Sequence, residues 1–258
     1  MKKKIASLVL FLTLFSVSFS QITKGKPYYL IDLDEKALNN YDKRFLDSLL
    51  PVFHKSGNIK TKLTVLKTFA SALSDEKIWV PYNLLMYNMT VGKTDTLSIL
   101  FNADALNNKG YEYQYIRNKI DSAIIFYNMA LGLNNHINYA PGIGTVLNNL
   151  AYIYQQQGKL EKCIELYNQA EKIFTKSGYS EGLISIHINL GDVYFRNDDF
   201  SKAEESFNKA MVFAQKTNQQ FLLGNVYNQL AAISKHNKNY SRSFHYYLQA
   251  INIYKAQE

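Results

Sequence analysis

Amide side chains recur at a fixed interval in the second half of this chain of 258 residues. Asn149, Asn189 and Gln229 lie 40 residues apart, and Asn148 and Asn228 are separated by twice that interval. An amide carries both a hydrogen-bond donor and an acceptor, so a row of amides can bind the backbone of an extended peptide whatever its sequence. The alternative interpretation is that each amide caps or braces its own helix.

The same surface would carry further side chains suited to a peptide. Asn225 lies one helical turn before Asn228, and Tyr152, Asp192 and Lys235 would line the same groove. A mixed aromatic and polar lining suits a peptide with at least one apolar anchor; ordinary solvated helix surface is the alternative. The candidate peptide-binding residues are Asn148, Asn149, Tyr152, Asn189, Asp192, Asn225, Asn228, Gln229 and Lys235.

Residue patterns for catalysis or metal binding do not stand out. Val91-Gly92-Lys93-Thr94 matches the end of a phosphate-binding loop, but Tyr87 stands where that loop needs its first glycine. The five histidines lack the spacing of a zinc-binding helix. Cys163 stands at a small helix-packing position, which predicts a buried structural thiol. We therefore expect no enzyme activity, no metal and no cofactor.

The amides belong to a repeated unit. Its first block is Leu150-Ala151-x-x-Tyr154, Leu190-Gly191-x-x-Tyr194 and Leu230-Ala231-x-x-Ser234. Its second block is Cys163-x3-Tyr167-x2-Ala170, Ala203-x3-Phe207-x2-Ala210 and Ser243-x3-Tyr247-x2-Ala250. In an earlier copy the first block is Gly110-x-x-Tyr113 and the second is Ala123-x3-Tyr127-x2-Ala130, with one extra residue between the blocks. A period in the range of about 20–50 residues predicts a solenoid.

The apolar spacing inside each unit is helical. Leu147, Leu150, Ala151 and Tyr154 fall at i, i+3, i+4 and i+7, which is one face of a helix. Gly158 ends that helix, and a second one with the same spacing runs from Leu160 to Ser177-Gly178. Each unit is therefore predicted to be helix A, a short turn and helix B, with small residues allowing the two helices to approach closely.

These blocks resemble the tetratricopeptide repeat (TPR) family, and Val146 to Tyr154 in particular resembles the long-helix repeats of kinesin light chains. The resemblance is strong over residues 119–258 and weaker over 94–118. It implies an all-α fold, a right-handed α-solenoid of antiparallel helix pairs. It also implies that helix A lines a concave groove, where asparagine contacts bound peptide. The usual unit has about 34 residues, so 40 residues imply longer helices.

The remaining sequence divides into three segments. Residues 1–20 predict a signal peptide, residues 21–41 an irregular lead-in, and residues 42–118 a helical region of divergent TPR-like repeats. Within that region helices are predicted at 42–55, 59–74 and 76–91. The TPR array itself is predicted at 119–258.

The first twenty residues have the organisation of a bacterial export signal. Three lysines precede an apolar run from Ile5 to about Phe15, and Ser18 and Ser20 are small residues before a cleavage site at Gln21. That run is shorter than the ~20 residues of a spanning helix. We therefore expect an exported, periplasmic or secreted protein with no membrane span in the mature chain; an uncleaved anchor is the alternative.

The charge distribution argues against a nucleic-acid partner. The net charge of +8 includes the three lysines of the export signal, and the other lysines are scattered without a dense basic cluster. The expected partner is a protein or a peptide.

The last predicted helix presents an apolar face. Phe244, Tyr246, Ile253 and Tyr254 match internal residues that can pack against a following repeat, and no further repeat follows in this sequence. We expect self-association through this uncapped helix. The alternative is that the chain is the periplasmic sensor portion of a longer membrane-bound signalling protein, a histidine kinase or a helix-turn-helix regulator.

Overall fold

A computed structural model describes residues 28–256, and these residues form eleven α-helices and no strand. The helices are α1 (Asn40–Lys55), α2 (Ile59–Ala72), α3 (Glu76–Thr90), α4 (Thr96–Tyr111), α5 (Ile120–His136), α6 (Ala140–Gln156), α7 (Leu160–Ser177), α8 (Ser180–Arg196), α9 (Phe200–Lys216), α10 (Gln220–His236) and α11 (Tyr240–Lys255). The predicted all-α class of stacked helix pairs is confirmed. The predicted signal peptide lies outside the described residues.

The chain forms two compact units, one ending at Glu112 and the other beginning at Tyr113. In the first unit, α1, α2 and α3 correspond to the helices predicted at 42–55, 59–74 and 76–91. The lead-in contains a 3-10 helix at Glu35–Ala37. Its backbone is held by the buried Tyr82, whose hydroxyl donates to the carbonyl of Tyr29 at 2.6 Å.

The second unit has a strict periodicity. Helices begin at residues 120, 140, 160, 180, 200, 220 and 240, and each packs against the next along the chain. We call α6, α8 and α10 the A helices, and α5, α7, α9 and α11 the B helices. One A helix and the following B helix form one 40-residue repeat, as the sequence predicts.

The turns between these helices share one backbone conformation. A residue with positive φ follows each helix at intervals of 20, and the set is Asn118, Asn138, Gly158, Gly178, Asp198, Asn218 and Lys238. After α6, for example, the amide of Lys159 donates to the carbonyl of Tyr154 at 2.9 Å. That bond closes a Schellman turn, which needs one left-handed residue. Glycine and asparagine adopt this conformation at low cost.

The extra residue of the first repeat is accommodated within a helix. Directly after α4, Glu112–Ile116 forms a π-helix. A π-helical turn spans one residue more than an α-helical turn, because its hydrogen bond joins residues i and i+5. The insertion between Tyr113 and Ala123 therefore leaves the later 20-residue periodicity intact.

Small residues lie where the helices approach most closely, as predicted. Ala151 is fully buried, and a Cβ added at Gly191 would lie 2.5 Å from the ring of Phe207. Cys163 is also fully buried, and burial raises the pKa of its thiol to about 11. This thiol therefore stays protonated at neutral pH, which is consistent with the buried structural thiol predicted from the sequence.

His187 also packs in the helix interface. The residue is 3% exposed, and its ring stacks on Phe213 with 5.9 Å between ring centroids. Its Nε2 lies 3.6 Å from Oε1 of Glu171. Burial, the largest effect, lowers the pKa of His187, Lys209 lowers it further, and Glu171 and Glu205 act in the opposite direction.

The last helix is much less covered than the other B helices. Tyr247 is 37% exposed, whereas Tyr167 and Phe207 at the equivalent positions of α7 and α9 are fully buried. The exposed apolar residues of α11 form one stripe, which we call the α11 stripe: Tyr240, Phe244, Tyr247, Leu248 and Ile251. Tyr246, Ile253 and Tyr254 were predicted to belong to the exposed apolar face but are not among these exposed residues, so the prediction was wrong for these three.

The three corrected residues turn inward. Tyr246 packs against the core around Phe207, and Ile253 packs against the core around Ala214. Tyr254 is half-buried and hydrogen-bonds to α10. Of the predicted face, Phe244 is exposed.

Candidate peptide-binding surface

Two of the candidate amides form a bridge between successive A helices. Nδ2 of Asn189 on α8 donates to Oδ1 of Asn148 on α6 at 2.8 Å. Both side chains are half-buried. Within residues 28–256, Nδ2 of Asn148 and Oδ1 of Asn189 make no further hydrogen bond. The bridge therefore fixes both amides and leaves one donor and one acceptor available.

The amides of α10 are held differently. The hydroxyl of Tyr254 on α11 donates to Oδ1 of Asn225 at 2.7 Å and accepts from Nδ2 of Asn228 at 3.2 Å. These two asparagines therefore brace the last helix, which was the alternative interpretation of the amide row. Ile188 stands at the equivalent position in α8, so the row is also interrupted there.

A cleft of about 320 Å³ opens beside the amide bridge. Its lining is Thr145, Asn148, Phe174, Tyr179, Glu181, Gly182, Ser185, Gln219 and Leu222. Phe174 and Leu222 supply apolar surface, while the carboxylate of Glu181 accepts a hydrogen bond from Gln219 at 3.0 Å. An apolar floor with polar walls can receive a side chain of a peptide whose backbone lies on the amide bridge.

A group of aromatic and acidic residues includes Tyr152 on α6 and Asp192 on α8, together with Tyr115 of the π-helix and Tyr167 on α7. The rings of Tyr115 and Tyr152 have centroids 6.2 Å apart and are tilted by 33°. The hydroxyl of Tyr167 donates to Oε1 of Gln155 at 3.3 Å. Burial raises the pKa of Tyr167, and the nearby ionisable groups Cys163, Tyr152, Asp192 and Tyr115 raise it further. We call Tyr115, Tyr152, Tyr167 and Asp192 the Tyr–Asp cluster.

The remaining candidates lie on α6 and α10. Asn149 and Gln229 are half-buried at equivalent positions of α6 and α10, and Lys235 is exposed at the end of α10. The structure thus joins Asn148 to Asn189 by a hydrogen bond and places both Tyr152 and Asp192 near Tyr167. It assigns Asn225 and Asn228 to the contact with Tyr254.

Several residues of this surface were missed by the sequence argument. Thr145 and Ser185 occupy equivalent positions, one turn before the amides, so the 40-residue period could have found them. Tyr115 could not have been found in that way, because it follows the inserted residue and the π-helix shifts its register. The positions equivalent to Glu181 in the other repeats hold Pro141 and Phe221, so no repeated pattern marks Glu181.

Between residues 28 and 256, no group of three or more His, Cys, Asp or Glu side chains could hold a metal ion. Across the same residues, no helix has the length and apolarity needed to cross a bilayer.

Comparison with known proteins supports the repeat assignment. Residues 142–216 match the family model described as tetratricopeptide repeat. A search of curated proteins found no match.

Two solved structures are similar in fold. BtubC (BKLC) from P. vanneervenii has a TM-score of 0.62 and 18% identity, covering 84% of this chain and 89% of its own. Aspartyl phosphate phosphatase F from Bacillus subtilis has a TM-score of 0.57 and 14% identity, covering 82% of this chain and 66% of its own. At these identities the likeness shows the fold alone.

Proposed function

We propose that this chain is an exported protein-interaction scaffold. It binds a peptide segment of another protein along the groove lined by α6, α8 and α10, and it performs no catalysis. The match of residues 142–216 to the tetratricopeptide repeat model supports a protein partner. The phosphatase activity in the name of one similar structure belongs to that protein, and a fold shared at 14% identity does not transfer it.

The amide bridge is the observation that carries this proposal. A peptide backbone presents alternating N–H and C=O groups. The available Nδ2 of Asn148 can donate to a backbone carbonyl, and the available Oδ1 of Asn189 can accept from a backbone N–H. Because each amide fixes the other, little side-chain entropy is lost on binding. The cleft at Thr145 and Ser185 would receive an apolar side chain of the same peptide.

Peptide binding can be tested by selecting ligands from a random library of twelve-residue peptides on the full chain. Selected peptides are then titrated against Asn148→Ala/Asn189→Ala. Each lost hydrogen bond contributes about 0.5–1.5 kcal/mol, so we expect binding to weaken by roughly five- to 150-fold. Fluorescence anisotropy with labelled peptides measures the change.

A matched control is available in the same array. Asn225→Ala/Asn228→Ala removes the same chemical groups from the contact with Tyr254, so it should loosen α11 and leave peptide affinity within about twofold. If no selected peptide depends on Asn148 and Asn189, or if both double variants weaken binding equally, the groove proposal is wrong.

Export is a separate part of the proposal. The three lysines, the short apolar run and the small residues at 18 and 20 support cleavage between Ser20 and Gln21. Expression in a Gram-negative host, fractionation and N-terminal mass spectrometry provide the test. A periplasmic product beginning at Gln21 is expected; a product that keeps Met1 and stays with the membrane contradicts cleavage.

A further inference from the structure

Asp192 lacks a partner for its charge. The side chain is half-buried on α8, and it forms no hydrogen bond or salt bridge with any of residues 28–256. Burial raises the pKa of Asp192, and Arg196, one turn later on the same helix, lowers it without forming a salt bridge. A carboxylate that loses water without gaining a partner is unfavourable. The free protein therefore retains an uncompensated negative group on the proposed groove.

The surroundings of Asp192 are aromatic. Asp192, Tyr152 and Tyr115 are all ionisable neighbours of the buried Tyr167, and the rings of Tyr115 and Tyr152 lie next to each other. Tyr115 is 51% exposed, so the cluster is open to solvent. The faces of tyrosine rings attract cations held within about 6 Å of the ring centre. The hydroxyl of Tyr167 is already occupied by Gln155 and cannot donate to the carboxylate at the same time.

We propose that the Tyr–Asp cluster is the docking site for one cationic side chain, arginine or lysine, of the bound peptide. Asp192 pairs with the guanidinium or ammonium group, and the rings of Tyr115 and Tyr152 lie against it. This inference rests on the proposed peptide-binding function and adds the chemistry of the ligand. Tyr152 lies on α6 and Asp192 on α8, about one turn after Asn148 and Asn189 on the same two helices, so one extended peptide reaches both the cluster and the amide bridge.

The competing explanation is that Arg196 serves as an internal partner of Asp192 in solution. The two explanations predict opposite effects of Arg196→Gln. If Arg196 neutralises Asp192, its loss destabilises the fold and does not strengthen peptide binding. If Asp192 instead binds a cation of the peptide, Arg196 repels that cation because both are positively charged. Removing Arg196 should then raise the affinity for a basic peptide.

The peptides selected from the random twelve-residue library provide the test. We expect them to share a basic residue, and replacing it by citrulline or acetyl-lysine should weaken binding to the wild-type chain by on the order of ten- to a hundredfold. Asp192→Asn should cause a similar loss, and the two changes together should cost little more than either alone. Asp121→Asn, the same chemical change at an exposed position of α5, should have no effect.

Stability separates a binding role from a structural role. Because burial raises the pKa of Asp192, the ionised side chain destabilises the folded state at neutral pH. Asp192→Asn should therefore melt at or above the wild-type temperature while binding the basic peptide less tightly. A lower melting temperature would indicate a structural role and overturn the proposal.

The measurements that change only the peptide use the wild-type chain, so they do not depend on whether any variant folds. If selected peptides are neutral or acidic and still need Asn148 and Asn189, the cation site is wrong and the peptide-binding function stands. If basic peptides bind equally well after citrulline replacement, the cation site is likewise wrong. If no selected peptide needs the groove, both proposals fall.

Discussion

The ring of Phe174 fills the space that a side chain at Gly182 would need. A Cβ added at Gly182 would lie 2.6 Å from Cδ2 of that ring. The same ring also lies against Gly144. Because Phe174 belongs to α7 and the glycines to α6 and α8, one aromatic side chain packs a B helix against the A helices on both sides.

The size of this B-helix residue changes from repeat to repeat, and the A-helix residue changes with it. Phe174 faces Gly144, whereas Ala214 at the equivalent position packs in a cluster with Ile184. Tyr254 again lies against a glycine, Gly224, where an added Cβ would be 2.8 Å from the ring. Large residues on the B helix thus accompany glycine on the A helix, and the total volume of the layer is conserved.

Gly182→Ala should destabilise the protein by about 1–3 kcal/mol, because the added methyl group overpacks against Phe174. The matched control is Gly132→Ala on α5, where an added Cβ would meet no atom within 4 Å. That change should stabilise by about 0.5–1 kcal/mol, since alanine is the better helix former. Urea denaturation measures both effects.

A double variant tests the compensation directly. Gly144→Ile combined with Phe174→Ala recreates the residue pair of the next layer. It should be more stable than the sum of the two single changes predicts, by about 0.5–3 kcal/mol of coupling. Additive losses would show that the two positions do not share one packing space.

The repeat and its helices could be predicted from the sequence, because apolar spacing and a small residue at each close contact are local properties. Volume compensation between Phe174 and Gly144 could not, because these residues are 30 positions apart and belong to different blocks. The left-handed turn residues could be predicted in part. Glycine is typical of this conformation, as at Gly158 and Gly178, whereas lysine at position 238 does not indicate it.

Lys238 occupies a left-handed turn position, with φ of 58°, that glycine occupies after α6 and α7. A side chain in this conformation costs about 1–2 kcal/mol. Lys238→Gly should therefore stabilise α10 and α11 by about 0.5–1 kcal/mol, even after the greater entropy of glycine in the unfolded chain is counted. The reciprocal change, Gly158→Lys, should destabilise by a similar amount. Hydrogen exchange of α11 amides measures the first effect.

Lys216→Gly serves as the control for Lys238→Gly, since it lies in the last turn of α9 with helical geometry. That change should destabilise the protein slightly. Equal effects of the two lysine substitutions would mean that the turn conformation carries no strain.

Acidification should destabilise the fold through His187. Burial lowers the pKa of His187 below its ordinary value. As the pH falls below about 6.5, His187 takes up a proton in the unfolded chain before it does so in the folded chain. The folded state therefore loses stability. The stability contributed by the neutral ring is therefore present above that pH and is lost below it.

His187→Leu introduces the residue found at the equivalent position, Leu147, and should remove this part of the pH dependence. Unfolding free energies at pH 8, 6.5 and 5.5 should shift in favour of the variant as the pH falls. His245→Gln, which removes an exposed histidine of α11, is the control for the loss of an imidazole. Parallel profiles for wild type and His187→Leu would contradict the prediction.

The candidate site was predictable only in part. Asn148 and Asn189 were both predicted from the spacing of the amides, but they occupy two different positions of the repeat, so the period does not predict the bond between them. Asn225 and Asn228 share the sequence pattern but meet Tyr254, because α11 carries a tyrosine where α9 carries Ala214. The amide pattern on one helix does not predict which side chain of the neighbouring helix contacts those amides.

The α11 stripe should make the protein self-associate. Its five residues lie at spacings of three, four and one positions, so they project from one side of the helix. Two of them, Leu248 and Ile251, replace Asn168 and Glu171 at the equivalent positions of α7. Burying this apolar surface against a second copy contributes about 25 cal/mol per Å², and sedimentation velocity should show an average mass that rises with concentration.

Phe244→Glu/Leu248→Lys should keep the protein monomeric and leave its melting temperature within about 2 °C, because both side chains are exposed. The matched control is Tyr246→Glu/Ile253→Lys. Those residues pack against the cores formed with α9 and α10, so the control should lower stability by about 2–5 kcal/mol. A wild-type chain that stays monomeric at several hundred micromolar, or an association that survives Phe244→Glu/Leu248→Lys, would show that this stripe is not an interface.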